Sequence, residues 1–312
     1  MIKVDGLSRT YDQFIAVNDV SFSIQSGEIV GLLGHNGAGK TTVMKMLTGY
    51  LEPTNGNVEI EGKSIDDDCL SIQQKIGYLP ENCPTYPEMT VIDYLEYIAR
   101  MRGVNDENIV DAIRNAIDNT KLAEKANQLI NTLSRGYRQR VGVAQAIIHQ
   151  PEILILDEPT NGLDPSQILQ MRQLIKDLSA KTTVIISTHI LQEVKAICDR
   201  VIIMKNGEIG LDSAIKDIQQ IERLMLSINC SQEETKALLS DFDFIESIDP
   251  IQQQAGSHTF RLQLVQKTEL TSNELSSKIA QRVIEKGHDL YAIFPEQRDL
   301  ETVFAEINRV GS

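Results

Sequence analysis

The feature that most constrains the fold of this chain is a glycine-rich segment between an aliphatic run and a helical run. The aliphatic run covers residues 28–33, and helical spacing begins near Thr42. Glycines leave room for backbone N–H groups to surround phosphate oxygens, and the start of a helix adds positive potential there. The segment fits the pattern G-x-x-x-x-G-K-[ST] and consists of Gly34, His35, Asn36, Gly37, Ala38, Gly39, Lys40 and Thr41. The pattern predicts a P-loop, a turn that binds nucleotide phosphates.

The polar residues at the end of this segment have distinct expected roles. We expect Lys40 to reach the β- and γ-phosphates of a nucleotide and the Thr41 hydroxyl to ligate Mg²⁺. Thr42, the next residue, completes the predicted phosphate site. A glycine-rich turn with no ligand is the alternative, and the strand before the segment and the helix after it favour the phosphate site.

Two acidic residues follow a second aliphatic run. Residues 153–156 lead directly into Asp157 and Glu158. P-loop proteins hold Mg²⁺ with an acid at the end of an apolar strand, so Asp157 is the predicted metal-side carboxylate. Glu158 is predicted to polarise the water that attacks the γ-phosphate. Two acids after a strand would alone more often be a solvated strand end, but the P-loop upstream favours the catalytic interpretation.

Short aliphatic runs alternate with helical patterns through residues 1–220, which predicts an α/β domain around a buried parallel sheet. The predicted strands are residues 28–33, 76–79, 153–156, 184–187 and 201–204. Asn206-Gly207 predicts a tight hairpin after the last of them, because both turn positions favour positive φ. Residues 84–149 show helical spacing instead, which predicts a helical insertion between two halves of the sheet domain.

Residues 221–312 predict a second, smaller α+β domain. The predicted strands are residues 224–228, 242–248, 259–265 and 290–294. The predicted helices are capped by Ser231, Thr271 and Asp299. A glutamate three residues after each of the first two caps completes a capping box. The order βαββαβ followed by a helix predicts a ferredoxin-like fold. This region contains no metal-ligand cluster and no arrangement typical of a nucleophile.

The composition excludes several classes of protein. With 30 Lys and Arg against 44 Asp and Glu, the chain has a net charge of −14, whereas nucleic-acid binding needs a positive field. The 4 cysteines form no C-x-x-C pair, which indicates reduced thiols rather than zinc ligands or disulfides. No apolar run approaches the ~18 residues that span a bilayer, and the first residues lack the apolar core of a signal peptide. We therefore expect a cytoplasmic chain that does not itself cross a membrane.

Several motifs in order resemble those of the ABC ATPase family over residues 1–220. Residues 133–140 read Leu-Ser-Arg-Gly-Tyr-Arg-Gln-Arg and resemble the signature motif, usually L-S-G-G-Q. They precede an apparent helix, so Ser134 and Gly136 would offer a second helix N-terminus to an anion. The resemblance implies a RecA-like P-loop NTPase domain, ATP and Mg²⁺ as cofactors, and ATP hydrolysis.

The resemblance also implies roles for single residues. Residues 161–164, Asn-Gly-Leu-Asp, resemble the D-loop, which communicates across the family's dimer. His189 follows a predicted strand and Ser-Thr, and resembles the switch histidine that contacts the γ-phosphate. Tyr11 matches the aromatic residue that stacks on adenine. The alternatives are a structural histidine and an ordinary surface tyrosine.

Partners are implied by the same resemblance. In the family the signature motif completes the nucleotide site of the opposite subunit, so a chain with one P-loop needs a second ATPase chain, expected to be a copy of itself. The expected driven partner is a separate transmembrane permease, which would place the chain peripherally on the inner face of the cell membrane. Glu81, the form of the signature and residues 300–304 resemble the type-2 exporter branch, whose members move drugs, lipids, polysaccharides or gliding-motility components.

Two features depart from the family pattern. Glu81 replaces a glutamine, and its carboxylate can still ligate Mg²⁺ while adding negative charge near the γ-phosphate. Arg135 and Tyr137 replace the first glycine and the glutamine of the signature. Neither change removes the Ser134 hydroxyl or the Gly136 backbone, so we expect a working signature motif.

Two other functions compete with the transporter. A soluble ABC ATPase acting on ribosomes or DNA usually carries two ATPase units or long coiled-coil insertions, and this sequence shows neither. A catalytically inactive regulatory subunit would lack part of the catalytic set, which is complete here: Lys40, Thr41, Asp157, Glu158 and His189.

Overall fold

The computed structural model describes residues 1–218, 223–254, 256–265, 271–296 and 299–309. The chain divides into two compact units. The first unit contains Met1–Ile215 together with the end of the chain from Glu306, and the second unit is Lys216–Ala305. The predicted boundary between residues 220 and 221 lies outside the described residues.

The described elements alternate between strands and helices. The strands are β1 (Ile2–Tyr11), β2 (Phe14–Ile24), β3 (Ile29–Leu33), β4 (Asn55–Ile60), β5 (Lys63–Ser64), β6 (Ile76–Leu79), β7 (Ile153–Asp157), β8 (Thr183–Thr188), β9 (Arg200–Lys205), β10 (Glu208–Ala214), β11 (Arg223–Ile228), β12 (Ile245–Gln254), β13 (Ser257–Leu264) and β14 (Leu290–Glu296). The α-helices are α1 (Lys40–Leu47), α2 (Cys69–Lys75), α3 (Val91–Met101), α4 (Ile109–Thr120), α5 (Arg135–Ile147), α6 (Pro165–Ser179), α7 (Leu191–Ile197), α8 (Ile215–Ile218), α9 (Gln232–Leu239), α10 (Ser272–Glu285) and α11 (Leu300–Arg309).

A six-stranded sheet forms the centre of the first unit. Its strand order is β10-β9-β3-β8-β7-β6, and every pair is parallel except β10 with β9. Strands β3, β7 and β8 are buried along their whole length, which explains their unbroken aliphatic sequences. Because the strands are parallel, β3 and β7 end at the same edge, which brings the P-loop and the acidic pair together.

A second, antiparallel sheet in this unit was missed by the sequence analysis. Its order is β2-β1-β4-β5, and its register is interrupted several times along β1. Exposed polar residues alternate with buried ones such as Val4 and Val20, so no aliphatic run marks these strands. The irregular register also breaks the strict alternation that would predict a half-buried strand.

Helices α3, α4 and α5 form the helical insertion between β6 and β7. They share an apolar core that includes Tyr94, Leu95, Ile113 and Val141. The Tyr94 hydroxyl donates to the carbonyl of Pro84 at 3.1 Å, which ties α3 to the segment that leaves the sheet. Within the described residues, no helix of the chain is both long and apolar enough to cross a membrane.

The second unit has the predicted ferredoxin-like topology. Its four strands have the order β12-β13-β11-β14, and all pairs are antiparallel. Both predicted capping boxes form, at Ser231 with Glu234 and at Thr271 with Glu274. The predicted strand 242–248 is partly wrong. Its first residues turn instead, because the Ile245 N–H donates to the Phe242 carbonyl, and the pairing starts at Ile245.

Candidate nucleotide site

The P-loop joins the end of β3 to the start of α1. Gly39 is the N-cap of α1 with φ +102°, a left-handed conformation that L side chains rarely adopt. Gly34 is required for a different reason: a Cβ there would lie 2.6 Å from the carbonyl oxygen of Met204 on β9. Glycines at these positions therefore allow the loop to wrap closely against the sheet and turn into the helix.

Lys40 lies folded back across this loop. Its Nζ donates to the carbonyls of Gly34 at 2.8 Å and His35 at 3.3 Å. The side chain is buried, and its Nζ lies 3.5 Å from Oε1 of Glu158. The charge of a buried ammonium is therefore balanced by the carboxylate of the residue that follows β7.

Asp157 is the last residue of β7 and is fully buried. Its Oδ1 accepts hydrogen bonds from the Ser187 hydroxyl and, at 3.3 Å, from the Thr41 hydroxyl. Its Oδ2 is buried with no hydrogen-bond partner among the described residues. A buried carboxylate oxygen without a partner is costly, and a bound cation would satisfy it.

Glu158 follows Asp157 in a left-handed conformation, with φ +49°, which is rare for a residue with a side chain. Its backbone N–H is held by the Ser187 carbonyl at 3.2 Å and by the Ser187 hydroxyl at 3.1 Å. One carboxylate oxygen faces Lys40, and the other lies 2.8 Å from Nδ1 of His189, where the imidazole N–H donates to it. The buried carboxylate is thus held in one orientation from two sides.

A cavity of about 290 Å³ opens at this edge of the sheet. The predicted site residues that line it are Asn36, Gly37, Gly39, Lys40, Thr41, Thr42, Glu81, Glu158 and His189. Asn161 of the D-loop also lines it and donates from Nδ2 to Oε1 of Glu81 at 3.2 Å. Glu81 therefore lies in the cavity with the catalytic candidates, in contact with the D-loop.

The aromatic residue that lines this cavity is Phe14, which the sequence analysis did not single out. Tyr11 pairs with Phe14 where β1 turns into β2, but it is not among the lining residues. The Arg9 guanidinium lies 4.8 Å from the centre of the Tyr11 ring and covers one of its faces. Adenine stacking by Tyr11 stays a prediction, and Phe14 is a second candidate that strand pairing places beside it.

The signature residues lie at the start of α5 and do not line the cavity. Ser134 is the N-cap, and its hydroxyl accepts from the Tyr137 N–H at 3.4 Å. Gly136 is buried in the first turn. The structure therefore does not bring Ser134 or Gly136 to the P-loop of their own chain, and their role toward a second chain stays a prediction.

Two buried residues that position the site were missed by the sequence analysis. Ser187 contacts both acidic residues, as described above. Glu193 on α7 accepts hydrogen bonds from the hydroxyls of Thr160 and, at 2.7 Å, Thr188, and so joins the segment after β7 to the last residue of β8. A serine or threonine after a strand and a glutamate in a helix are too common to signal a site without their spatial partners.

The residues present fit a bound Mg²⁺. The available donors are Oδ2 of Asp157 and the Thr41 hydroxyl. Mg²⁺ commonly binds through one or two carboxylates together with substrate phosphates and water, rather than in a cage of protein ligands. The described part of the chain has no cluster of three or more His, Cys, Asp or Glu side chains that could hold a metal ion. Glu81 as a third ligand stays a prediction.

Comparison with known proteins identifies this arrangement. Residues 17–161 match the family model described as ABC transporter. The chain is 34% identical to the uncharacterized ABC transporter ATP-binding protein YxlF of Bacillus subtilis over 248 residues, which cover 80% of this chain and 82% of that protein. The chain belongs to the ABC transporter family. It is an ATP-binding, ATP-hydrolysing subunit.

Other relatives of this ABC subunit include a named transport protein and solved structures. The bacitracin transport ATP-binding protein BcrA of Bacillus licheniformis is 34% identical over 78% of this chain and 79% of its own length. The structure of an ATP binding subunit of an ABC transporter matches with a TM-score of 0.64 and 30% identity, over 70% of this chain and 92% of that chain. The dimeric structure of MJ0796, a bacterial ABC transporter cassette, matches with a TM-score of 0.63 and 28% identity, over 69% of this chain and 98% of that chain.

Proposed function

We propose that Glu158, Lys40 and His189 carry out ATP hydrolysis in this ABC subunit, and that hydrolysis drives export through a separate transmembrane permease. The observation that carries the catalytic part is the carboxylate of Glu158, which lies in the cavity between Lys40 and His189. A general base must be held within hydrogen-bond reach of the water that it activates. Here contacts with the buried Lys40 and with the more exposed His189 fix the orientation of the base.

The same contacts suggest a sequence of events. The positive charge of Lys40 lies 3.5 Å from the carboxylate of Glu158 and is balanced by it. Binding of ATP brings phosphate charge to Lys40 and leaves Glu158 available to accept a proton from the attacking water. The new bond forms between water oxygen and the γ-phosphorus, and the bond to the ADP oxygen breaks. His189 holds the second oxygen of Glu158 and lies where it can donate to the γ-phosphate.

Asp157 and Thr41 would hold the Mg²⁺ of this reaction. When bound, the ion would offset the negative charge of the phosphate oxygens. The Ser187 hydroxyl donates to Oδ1 of Asp157, whereas Oδ2 has no hydrogen-bond partner among the described residues and is the atom that would ligate the ion.

The permease is the proposed driven partner, and an exposed aromatic patch on the helical insertion is the proposed contact surface. Tyr86 and Tyr97 are 51% and 39% exposed, and their rings meet edge to face with centroids 5.5 Å apart. Met101 on the same helix as Tyr97 is 69% exposed. Exposed apolar groups of this kind mark protein contacts. This surface would place the chain on the inner face of the cell membrane.

A second copy of the chain is the other proposed partner. Ser134 and Gly136 lie away from their own P-loop, so they can complete a site only on another chain. The similar cassette MJ0796 is described as dimeric, and a second structure of it holds ADP and Pi after hydrolysis. The named relative BcrA is a bacitracin transport ATP-binding protein, which supports a transport role without identifying the cargo of this chain.

Substitution Glu158→Gln tests the catalytic proposal. The amide keeps the size of the side chain but cannot accept the proton, so we expect ATP binding to persist while turnover falls by roughly 10²–10⁴-fold. Binding is measured with a fluorescent ATP analogue and turnover by phosphate release. Glu107→Gln, on an exposed turn of the helical insertion, is the matched control. Unimpaired hydrolysis in Glu158→Gln would refute the assignment of the base.

Co-purification tests the transport proposal separately. The tagged chain is isolated from detergent-solubilised membranes of its native cell, with and without ATP. A stoichiometric multi-helix membrane protein is the expected result. Recovery with ribosomes or DNA, or recovery in the soluble fraction without a membrane partner, would leave the ATPase chemistry standing and remove the transport role.

A further inference from the structure

The Arg135 side chain lies directly on the D-loop of its own chain. Gly162 of the D-loop has φ +71°, and a Cβ built there would lie 2.3 Å from Cζ and 2.4 Å from Nη1 of Arg135. The guanidinium therefore occupies the space next to the Gly162 backbone that a side chain at 162 would need. A planar guanidinium packs flat against such a surface, whereas a lysine ammonium has no plane to present.

A second contact joins the same two segments. A Cβ at Gly136 would lie 2.7 Å from the side-chain Cδ and Oε1 of Gln167 on α6. The backbone N–H of Gln167 donates at 2.9 Å to Oδ1 of Asp164, the last residue of the D-loop and the N-cap of α6. The signature motif thus contacts the D-loop at Gly162, and it contacts α6, the helix after the D-loop, at Gly136.

A third contact lies one turn further along both helices. Nη2 of Arg140 on α5 donates at 2.5 Å to Oε1 of Gln170 on α6, and Nη1 donates at 3.1 Å to the carbonyl of Thr120. Arg135 itself is exposed, and it takes part in none of the ion pairs among the described residues. Its position against Gly162 is therefore one of packing rather than of charge pairing.

We propose that Arg135 is a positioning residue that joins the signature motif to the D-loop, so that both segments of one chain move together. This inference rests on the proposed function, in which the chain presents these segments to a second copy. With the guanidinium of Arg135 against Gly162, a change in the conformation of Gly162 and Leu163 would displace the side chain of the first residue of α5. In a dimer, a conformational change at one nucleotide site would then displace the signature motif and the D-loop together and so reach the other nucleotide site.

Amide hydrogen exchange on the purified chain without nucleotide tests the contact itself. The Leu163 N–H donates to the Thr160 carbonyl at 3.2 Å, so its exchange rate reports opening of the D-loop. In Arg135→Ala we expect that rate to rise roughly 3- to 10-fold, which is the lower part of the range that coupling between contacting residues implies. Arg114→Ala, which removes another exposed arginine of the helical insertion, should leave it unchanged. Equal rates in Arg135→Ala and the unaltered chain would overturn the proposal.

A double-mutant cycle tests the functional coupling in the full chain. In Gly162→Ala the new methyl group meets the guanidinium, and in the combined Arg135→Ala, Gly162→Ala variant it does not. We expect turnover to fall in each single variant with the KM for ATP unchanged, and the combined loss to be smaller than the product of the two. A multiplicative loss, or a rise in KM alone, would overturn the proposal. If Glu158→Gln hydrolyses ATP normally, the catalytic assignment fails, while the exchange result still decides the contact.

Discussion

The two units differ in where they place charge. In the first unit, Lys40, Asp157, Glu158 and Glu193 are all buried. In the described residues of the second unit, no charged side chain is buried, and its ion pairs, such as Arg261 with Glu296, lie near the surface. The second unit instead has a continuous apolar core between its sheet and helices. Both units therefore bury apolar side chains, but among the described residues only the first unit also buries charged side chains.

This difference shows which unit is built for chemistry. Moving a charged group out of water is costly unless a partner is supplied, and apolar residues often stabilise such a position better. The buried charges of the first unit therefore lower its stability. They lie at the cavity or beside it, where Lys40 contacts Glu158 and hydroxyl groups donate to Asp157 and Glu193. No charged side chain is buried among the described residues of the second unit, so apolar packing alone explains its fold.

The largest expected effect comes from opening the core of the second unit with Phe260→Ala. Phe260 on β13 is 1% exposed, and loss of a buried aromatic side chain costs about 3–5 kcal/mol. We expect the second unit to unfold at lower urea concentration, while the affinity of the first unit for ATP stays unchanged. Urea unfolding of each unit, monitored by amide hydrogen exchange, measures the change in stability, and nucleotide titration measures the affinity for ATP. A parallel loss of ATP affinity would show that the two units are not separable in function.

Lys40→Ala removes charge from the buried site of the first unit. Because a preorganised donor aimed at developing phosphate charge is lost, we expect turnover to fall by about 10²–10³-fold. Phosphate release and fluorescent-nucleotide binding measure the two steps. Lys45→Ala, on the same helix but away from the cavity, is the control. Turnover comparable to the control would mean that the buried charge of this unit is not catalytic.

Ser187→Ala tests what a single buried hydroxyl contributes in the first unit. Ser187 donates to Asp157 and accepts from the Glu158 N–H, so both groups lose a buried partner, at a cost of about 1–3 kcal/mol. We expect both lower stability and slower turnover. In the second unit, Thr235→Val also removes a buried hydroxyl, which donates to the Ser231 carbonyl at 2.7 Å, and should lower stability only. Normal turnover in Ser187→Ala would contradict this reading.

A smaller effect is expected from pH, through His149 at the edge of the large sheet. Burial, aided by the charge of Arg102, lowers the pKa of His149 from 6.5 to about 4, against the opposing hydrogen bond to the Ile76 carbonyl. Because the unfolded chain binds the proton more readily, His149 stabilises the fold above pH 6.5, and this contribution is lost as the pH falls toward 4. We expect a slope of about 1 kcal/mol per pH unit in that window.

Urea unfolding of the chain and of His149→Gln at several pH values measures this slope. The glutamine can still donate to the Ile76 carbonyl but does not titrate. The difference in unfolding free energy between the two proteins should therefore change between pH 6.5 and pH 5 and be constant above pH 7. Parallel curves throughout would show that His149 is equally protonated in both states.

Much of the fold could be predicted where the signal is local. Strand β6 has the predicted bounds, and β3, β7, β8 and β9 differ from the prediction by a residue or two at their ends. The turn Asn206-Gly207 has both positive φ values, +50° and +84°. Strands β1, β2 and β4 were missed because bulges and half-exposed faces remove the periodicity on which such predictions depend.

The sequence by itself determined the phosphate-binding chemistry and the family. Glycine, lysine and threonine at fixed spacing restrict the backbone of the P-loop whatever surrounds it, and the same holds for the acids at the end of β7. Only the tertiary structure decided that Ser187 and Glu193 support the acids, that Phe14 lines the cavity, and that Arg135 lies on Gly162. Those contacts join residues far apart in the chain, and packing of the whole unit, not local conformational preference, determines which of them meet.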